Sequence, residues 1–167
     1  MTSNKQIRID KDLAKKKIVV TRNFEASPGE VWDAWTQSDL LDSWWAPKPW
    51  KAETRSLNFT EGGNWLYAMV GPDGSRHWAR VDFLKIHPQR SFEANDSFCD
   101  EAGVTNKNMP GMHWKNEFSG TDQGTQVKVE LSFPTTKDME QLLEMGFETG
   151  FESALSNLDE IFSKQHA

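Results

Sequence analysis

The fold of this chain is decided by residues 135–164, whose sequence is TTKDMEQLLEMGFETGFESALSNLDEIFSK. The apolar residues of this stretch recur three and four positions apart, which is the spacing of one buried helix face. Thr135 followed by Asp138 is typical of a helix N-terminus. The pattern predicts a helix of roughly 40 Å, long enough to cross a whole sheet. Its apolar face comprises Met139, Leu142, Leu143, Phe147, Phe151, Ala154, Leu155, Leu158, Ile161 and Phe162.

Two glycines, Gly146 and Gly150, lie on or beside the buried face of this predicted helix. A glycine inside a helix costs about 1 kcal/mol relative to alanine, because the free chain loses more conformational freedom. We therefore expect a reason for their presence. The interpretation that fits best is that they widen the floor of a cavity between Phe147 and Phe151.

Composition places the chain among folded domains of ordinary polarity. It has 167 residues, of which 26% are charged and 37% hydrophobic, enough for one domain with a substantial core. The net charge of −6 and the lack of a basic stripe argue against nucleic-acid binding. Cys99 is a single cysteine, so a disulfide framework and a cysteine metal site are not expected. No segment reads as a signal peptide or a membrane span, which predicts a cytoplasmic protein.

The rest of the chain predicts strands around two short helices. Residues 1–16 are polar and predict a tail, with at most a short strand at the edge of a domain that covers residues 17–167. A strand follows, and Ser27-Pro28 then opens the first short helix. From residue 51 to residue 133 the apolar residues alternate, as in antiparallel strands. We therefore predict an α+β fold in which a curved antiparallel sheet of about six or seven strands wraps around the long C-terminal helix.

A curved sheet that grips a helix leaves space between the two, and that space is a natural ligand site. The alternative is that side chains fill it completely. Eight tryptophans and ten phenylalanines suit either a core or the lining of an apolar pocket. The candidate ligand-binding residues are Trp44, Trp45, Trp65, Tyr67, Met69, Val81, Phe83, Phe92, Asp96, Trp114, Asn116, Phe118, Leu143, Phe147 and Phe151.

Several short motifs occur in a fixed order and together cover roughly residues 17–164. They are Thr21-Arg22-x-Phe24-x-Ala26-x-Pro28-x-x-Val31-Trp32-x-Ala34-Trp35, Leu40-Leu41-x-x-Trp44-Trp45-x-Pro47, Glu61-Gly62-Gly63-x-Trp65, Gly71-Pro72-Asp73-Gly74, Pro88-x-Arg90, and Gly150-Phe151 with Leu155 and Leu158. The first motif resembles the opening of START-like domains, also called helix-grip or SRPBCC domains. The others are similar to the branch related to the activator of the heat-shock protein 90 ATPase.

The resemblance implies a helix-grip fold with a hydrophobic cavity between the sheet and the C-terminal helix. Characterised relatives of this broad group bind lipids, hormones or polyketides, a few act as cyclases or aromatases, and others serve as co-chaperones. This chain departs from the commoner pattern because Phe151 stands where many members have tryptophan. That difference alters the shape of a pocket without opposing one.

Two polar residues, Asp96 and Asn116, fall on otherwise apolar faces of neighbouring predicted strands. A buried, unpaired carboxylate has a raised pKa and can serve as a general acid or base. Asp96 could instead pair with Arg22 or lie at a bulge that faces water. If one end of the pocket is wet, Asp96 and Asn116 are the predicted anchors for a ligand head group.

Two further positions allow two interpretations each. His77 begins a strand on the same side as Ala79, so it either faces the cavity or ends the strand at the surface. Trp44 and Trp45 are consecutive helix residues about 100° apart, so they cannot both point into the core. One of the two tryptophans can therefore line the cavity mouth.

Three functions remain open on the sequence. The leading hypothesis is a non-enzymatic binder of a small apolar or aromatic ligand, lipid-like or polyketide-like. The second is a co-chaperone-like module whose partner is a chaperone or another protein. The third is a cyclase- or hydrolase-like enzyme that uses Asp96 or His77. No catalytic motif, metal site or cofactor site is predicted, and the sequence does not separate a monomer from a dimer.

Overall fold

An antiparallel sheet of eight strands is the frame of the molecule, which a computed structural model describes for residues 7–165. The spatial order of the strands is β1-β2-β8-β7-β6-β5-β4-β3, so consecutive strands are neighbours except where β2 pairs with β8. The strands are β1 (Arg8–Asp12), β2 (Lys17–Phe24), β3 (Lys51–Leu57), β4 (Asn64–Val70), β5 (Arg76–His87), β6 (Ser91–Cys99), β7 (Met112–Thr121) and β8 (Gly124–Ser132).

Four helices pack on the concave face of this sheet or at its edge. They are α1 (Pro28–Thr36), α2 (Ser38–Trp44), α3 (Thr136–Glu144) and α4 (Phe147–Gln165). The start of α1 is a capping box, in which the Ser27 hydroxyl accepts the Glu30 amide hydrogen and the Glu30 carboxylate accepts the Ser27 amide hydrogen. The α+β class, the curved antiparallel sheet and the long C-terminal helix are therefore confirmed.

The alternation of apolar residues sets which side of each strand faces the core. In β7, Trp114, Asn116 and Phe118 are buried while the residues between them are partly exposed. A cluster of rings packs between α1 and the sheet, where Trp32 meets Phe59, Phe92 and Phe118 edge-on at centroid distances of 5.7, 5.8 and 5.2 Å. Much of the aromatic content of the chain is therefore core.

The sheet has one strand more than the six or seven predicted. Residues 8–12 form β1, which pairs along its whole length with residues 17–21 of β2. Its residues are mostly exposed and charged, so the alternation that identifies a half-buried strand is weak there. The strand predicted as optional within the polar tail is thus present, while residues 1–6 lie outside the described residues. The division of the chain into a tail and a domain at residue 16 stays a prediction.

The prediction of one unbroken helix over residues 135–164 is wrong. The helical segment divides into α3 and α4 at Met145 and Gly146, and Gly146 has a φ of 87°. That left-handed conformation is accessible to glycine at little cost and ends a helix. The break is invisible in the hydrophobic pattern because Leu143 and Phe147, four residues apart across it, keep the helical spacing. The remaining helix α4, with 19 residues, is about 28 Å long.

Candidate functional site

A cavity of about 550 Å³ lies between the inner face of the sheet and the two C-terminal helices. Strands β4 to β7 form one wall, α3 and α4 form the other, and the segment after α2 closes one side. The lining is mainly aromatic and sulfur-containing. It comprises Trp45, Pro47, Trp50, Tyr67, Met69, His77, Ala79, Asp96, Ser97, Phe98, Met109, Met112, Trp114, Leu142, Met145, Gly146, Phe147, Gly150 and Phe151.

Antiparallel pairing brings the wall residues of the sheet together. Tyr67 pairs with Ala79 across β4 and β5, and Asp96 pairs with Met112 across β6 and β7. Directly paired residues project on the same face of a sheet. Ala79 therefore lies on the same face as the larger Tyr67, and its small side chain leaves room in the cavity at that point.

The helical wall consists of two stacked phenylalanines. Phe147 and Phe151 are one turn apart on α4, with ring centroids 5.3 Å apart and an interplanar angle of 21°. Trp114 of the sheet meets both rings edge-on, at 6.4 and 5.8 Å. These three rings join the helix to the sheet at the inner boundary of the cavity.

The two glycines differ in their surroundings. A Cβ added at Gly146 would meet no atom within 4 Å, whereas one added at Gly150 would lie 3.8 Å from Pro47 Cγ. Both residues line the cavity. The left-handed backbone conformation is sufficient reason for a glycine at position 146. The predicted widening of the cavity floor between Phe147 and Phe151 therefore applies to Gly150 alone.

A second, much smaller pocket of about 30 Å³ adjoins the cavity. Trp45, Asp96 and Trp114 line both hollows and therefore form the partition between them. A volume of this size holds about one water-sized group. The other lining residues of the inner pocket are Trp35, Thr36, Leu41, Leu57, Trp65, Val81, Phe83, Phe92, Ala94 and Asn116.

Asp96 is a carboxyl group held in this apolar partition. Burial raises the pKa of Asp96 from 3.8 to about 7, because desolvation disfavours the charged form. The Trp114 indole N–H lies close enough to favour the carboxylate without meeting hydrogen-bond geometry, and together with the Ser97 amide it opposes the rise, while the charge of Asp82 adds to it. Arg22 is not its partner, since that side chain forms an ion pair with Asp159. Asp96 can therefore carry a proton near neutral pH.

Tyr67 contributes a neutral phenol to the cavity wall. Its hydroxyl oxygen accepts a hydrogen bond from Trp45 Nε1 at 2.9 Å, and its ring stacks on Trp65 at a centroid distance of 4.0 Å. Burial raises the pKa of Tyr67 well above 10.0, and the nearby Asp96 charge acts in the same direction. The group therefore keeps its proton.

Three buried polar atoms have no hydrogen-bond partner among the described residues. They are Trp35 Nε1, Trp114 Nε1 and Asn116 Oδ1. All three belong to side chains that line the inner pocket. Asn116 and Trp114 are only 2% and 7% exposed, so bulk water does not satisfy them. Buried polar groups without partners are uncommon in native proteins, which makes this cluster notable.

Twelve of the fifteen predicted site residues line one or both hollows. Trp45, Asp96 and Trp114 line both; Tyr67, Met69, Phe147 and Phe151 line the cavity only; and Trp65, Val81, Phe83, Phe92 and Asn116 line the inner pocket only. The remaining three, Trp44, Phe118 and Leu143, line neither of these two hollows. Whether any of the twelve binds a ligand stays a prediction.

Each of those three residues has a structural place instead. Trp44 is fully buried and its indole N–H donates to the Ala34 carbonyl at 2.8 Å, which fixes it under α1. Phe118 packs edge-on against Trp32 in the ring cluster. Leu143 lies on α3 and packs partly buried against the core beside the helix break, whereas Leu142 faces the cavity.

The sequence reasoning missed the mouth of the cavity. Pro47, Trp50, Met109 and Met145 line it from irregular segments, where no periodicity identifies the inward side. The two interpretations of His77 both hold, because its side chain is exposed at the end of its strand and also lines the cavity. Its ring lies 5.4 Å from that of Trp50.

The two groups named by the enzymatic hypothesis lie apart along the sheet. Asp96 pairs with Val81, which is four residues from His77 on β5. At 3.3 Å per residue this is a separation of about 13 Å, too long for direct proton exchange.

Within residues 7–165, no group of three or more histidine, cysteine, aspartate or glutamate side chains could hold a metal ion. Across the same part of the chain, no helix has the length and apolarity needed to cross a bilayer.

Comparison with known proteins gives one family. The sequence model of the family described as activator of Hsp90 ATPase homolog 1-like protein matches residues 25–163. No curated protein matches the chain.

Similar solved structures come from several bacteria. A solution structure from Arthrobacter aurescens has 28% identity and a TM-score of 0.89, covering 95% of this chain and 92% of its own. One from Staphylococcus epidermidis has 30% identity and a TM-score of 0.82, covering 94% of each chain. A crystal structure from Mycobacterium smegmatis, with 24% identity and a TM-score of 0.86, covers 93% of this chain and 96% of its own, and supports the fold alone.

Proposed function

This chain belongs to the family of activator of Hsp90 ATPase homolog 1-like proteins, and from that premise we propose that it binds a small apolar or aromatic molecule between its sheet and its C-terminal helices. The family fold supports either a ligand-binding or a co-chaperone-like domain. The observation that favours ligand binding is the cavity of about 550 Å³, which falls within the range of small-molecule sites.

The chemistry of the walls supports an apolar occupant. Stacked Phe147 and Phe151 offer one flat surface, and Trp114 offers another at an angle to it. Methionines at the strand and loop side are unbranched and polarisable, so they adapt to different shapes. The walls suit a lipid-like or polyketide-like molecule with few polar atoms.

Polar groups at the inner end would orient such a ligand. Asp96 on β6 and Tyr67 on β4, with β5 between them, both line the cavity, while most of the other lining is apolar. A few polar groups in an apolar pocket fix orientation while the hydrophobic surface provides affinity. The proposed contacts are the seven predicted residues that line the cavity, with Asp96 as the polar anchor.

The test is a thermal-shift screen of lipophilic compounds against the whole chain. A compound that binds only the native state raises the melting temperature. At a concentration a hundred times its Kd, it adds about 2.7 kcal/mol to the free energy of unfolding. Gly150→Leu should lose most of this shift because the leucine side chain enters the cavity from α4. Gly150→Ala is the matched control, since its methyl group makes only ordinary contact with Pro47. Equal shifts in wild type and a folded Gly150→Leu would contradict binding at this cavity.

The family description favours a second candidate, a co-chaperone-like module that binds a chaperone. A large exposed apolar patch would mark such an interface. Among the described residues, the exposed large hydrophobic side chains are Leu13, Leu84, Val104 and Met145, which lie on four different segments. Stimulation of heat-shock protein 90 ATPase activity by the purified chain, unchanged in Gly150→Leu, would favour this candidate over the first. A cytoplasmic location is part of both proposals.

A further inference from the structure

The inner pocket has a donor and acceptor pattern that one chemical group can complete. Trp35 and Trp114 each bring an indole N–H, and Asn116 brings an amide oxygen, all three without partners among the described residues. An indole N–H can only donate, and an amide oxygen can only accept. The pattern is therefore two donors and one acceptor around a space of about 30 Å³.

A hydroxyl group matches this pattern. Its oxygen accepts up to two hydrogen bonds and its hydrogen donates one. A carbonyl oxygen would satisfy the tryptophans but leave Asn116 Oδ1 unpaired. An ammonium group would satisfy Asn116 but bring its hydrogens against the indole N–H groups, and a carboxylate would add a buried charge with no donor for Asn116.

We propose that the inner pocket is a hydroxyl subsite, so that the ligand is an apolar molecule with one alcohol or phenol group at its leading end. This deepens the proposed function and rests on it. A water molecule would complete the same pattern in the unliganded protein, and the ligand hydroxyl would displace it. The partition residues Trp114 and Asp96 place the subsite at the inner end of the cavity, so the apolar body of the ligand lies between the sheet and α4.

The inner pocket should prefer a hydroxyl group over an apolar group because its polar atoms stay unpaired when an apolar group occupies it. A methyl group of similar size would force out the water and leave buried donors and an acceptor unpaired, which costs more than the hydrophobic gain. Sites built to hydrogen-bond a hydroxyl reject analogues that lack it far more strongly than apolar pockets reject an extra methylene.

The test uses 2-naphthol and 2-methylnaphthalene, two probes of nearly the same shape that differ in this group. Titration calorimetry at pH 6 should show that wild type binds 2-naphthol at least about tenfold more tightly, a difference of about 1.4 kcal/mol. An apolar cavity without the subsite would prefer the methyl compound. In a ¹⁵N–¹H spectrum, the Trp114 indole resonance should shift with 2-naphthol and much less with 2-methylnaphthalene.

Variants identify the groups involved. Trp114→Phe removes the indole N–H together with one ring, and Asn116→Leu replaces the amide with an apolar branched side chain of similar length; each should abolish the preference for 2-naphthol. Trp78→Phe is the control, since it makes the same change at a tryptophan of β5 that lines neither hollow, and it should keep the preference. Because there are two subsite variants, the test still holds if one of them does not fold.

The outcomes separate the two proposals. If both probes bind with similar affinity, or the preference for 2-naphthol persists in Trp114→Phe and Asn116→Leu, the hydroxyl subsite is overturned while the cavity stands as a binding site. If neither probe binds, and no compound of the thermal-shift screen does, the proposed function fails and the subsite with it.

Discussion

Asp96 is a half-buried carboxyl group whose ionisation falls near neutral pH because its apolar surroundings disfavour the charged form. Its strand neighbours are apolar on the inner face, and the nearest favourable groups are the N–H donors of Trp114 and Ser97 rather than a cation. The folded protein therefore keeps the Asp96 proton up to about pH 7, whereas the unfolded chain releases it near 3.8.

This difference makes stability depend on pH. Between 3.8 and about 7 the folded state binds more protons than the unfolded state, so stability falls as the pH rises through that interval. Across this whole interval the free energy of unfolding falls by up to about 4 kcal/mol. Asp96→Asn removes the charge while keeping the shape. We expect the variant to be more stable than wild type at pH 8.5 and nearly equal to it at pH 4, as measured by urea unfolding.

The comparison between the two proteins isolates Asp96 over this range, since Tyr67, which feels the Asp96 charge, titrates well above pH 8.5. A stability difference that is constant from pH 4 to pH 8.5 would contradict a protonated Asp96 in the folded state.

At the residue scale, the sequence can predict which polar residues are buried but not what they face. Strand parity alone places Asp96 and Asn116 on the inner side of the sheet. The unpartnered indole N–H of Trp35 lies on a helix, and its relation to Asn116 depends on packing between elements far apart in the chain. Local patterns carry no information of that kind.

At the element scale, the decisive feature is the break between α3 and α4. The amide of Gly146 donates to the Leu143 carbonyl at 3.1 Å, and the Gly146 carbonyl then accepts from the Gly150 amide at 3.0 Å, so one residue ends a helix and helps begin the next. This turn directs Phe147 and Phe151 toward Trp114 and leaves the cavity beside it.

The two glycines should respond to alanine in opposite directions. Gly146→Ala forces an L-residue into a left-handed conformation and should destabilise the protein by about 1–2 kcal/mol. Gly150→Ala, inside α4 with ordinary contact to Pro47, should stabilise it by about 0.5–1 kcal/mol. Chemical denaturation of both variants checks the signs. Stabilisation by Gly146→Ala would indicate a continuous helix instead of a break, and destabilisation by Gly150→Ala would mean that the space beside Gly150 does not admit a methyl group.

At the scale of the whole molecule, the order of elements and the inward face of most strands could be predicted, since both follow from alternation and turn residues. The exposed edge strand β1 has too little alternation for such a prediction. The cavity mouth is formed by loops and by Met145 at the helix break, where only the assembled structure shows which side chains face inward. What the sequence leaves open is therefore concentrated where elements meet.

A buried ion pair joins the final helix to the sheet, in contrast to the exposed pair between Lys11 of β1 and Glu148 of α4. Arg22 lies on the inner face of β2 with its side chain 2% exposed, and its guanidinium bonds the Asp159 carboxylate of α4 and the Asn23 carbonyl. The guanidinium carbon also lies 4.8 Å from the centre of the Phe24 ring. Because water reaches Arg22 so little, this pair fixes where α4 docks on the sheet.

Breaking that pair should cost more than breaking its exposed neighbour. Asp159→Asn leaves a buried guanidinium without its counter-charge, and we expect a loss of about 2–3 kcal/mol, moderated because the Asp159 side chain is 25% exposed. Glu160, the next residue on α4, pairs with Lys48 at 3.2 Å with both side chains more than half exposed. Glu160→Gln should therefore change the free energy of unfolding by less than about 0.5 kcal/mol. Urea unfolding of both variants compares the pairs under identical conditions, and equal effects would mean that Arg22 is hydrated and that α4 docks by apolar packing alone.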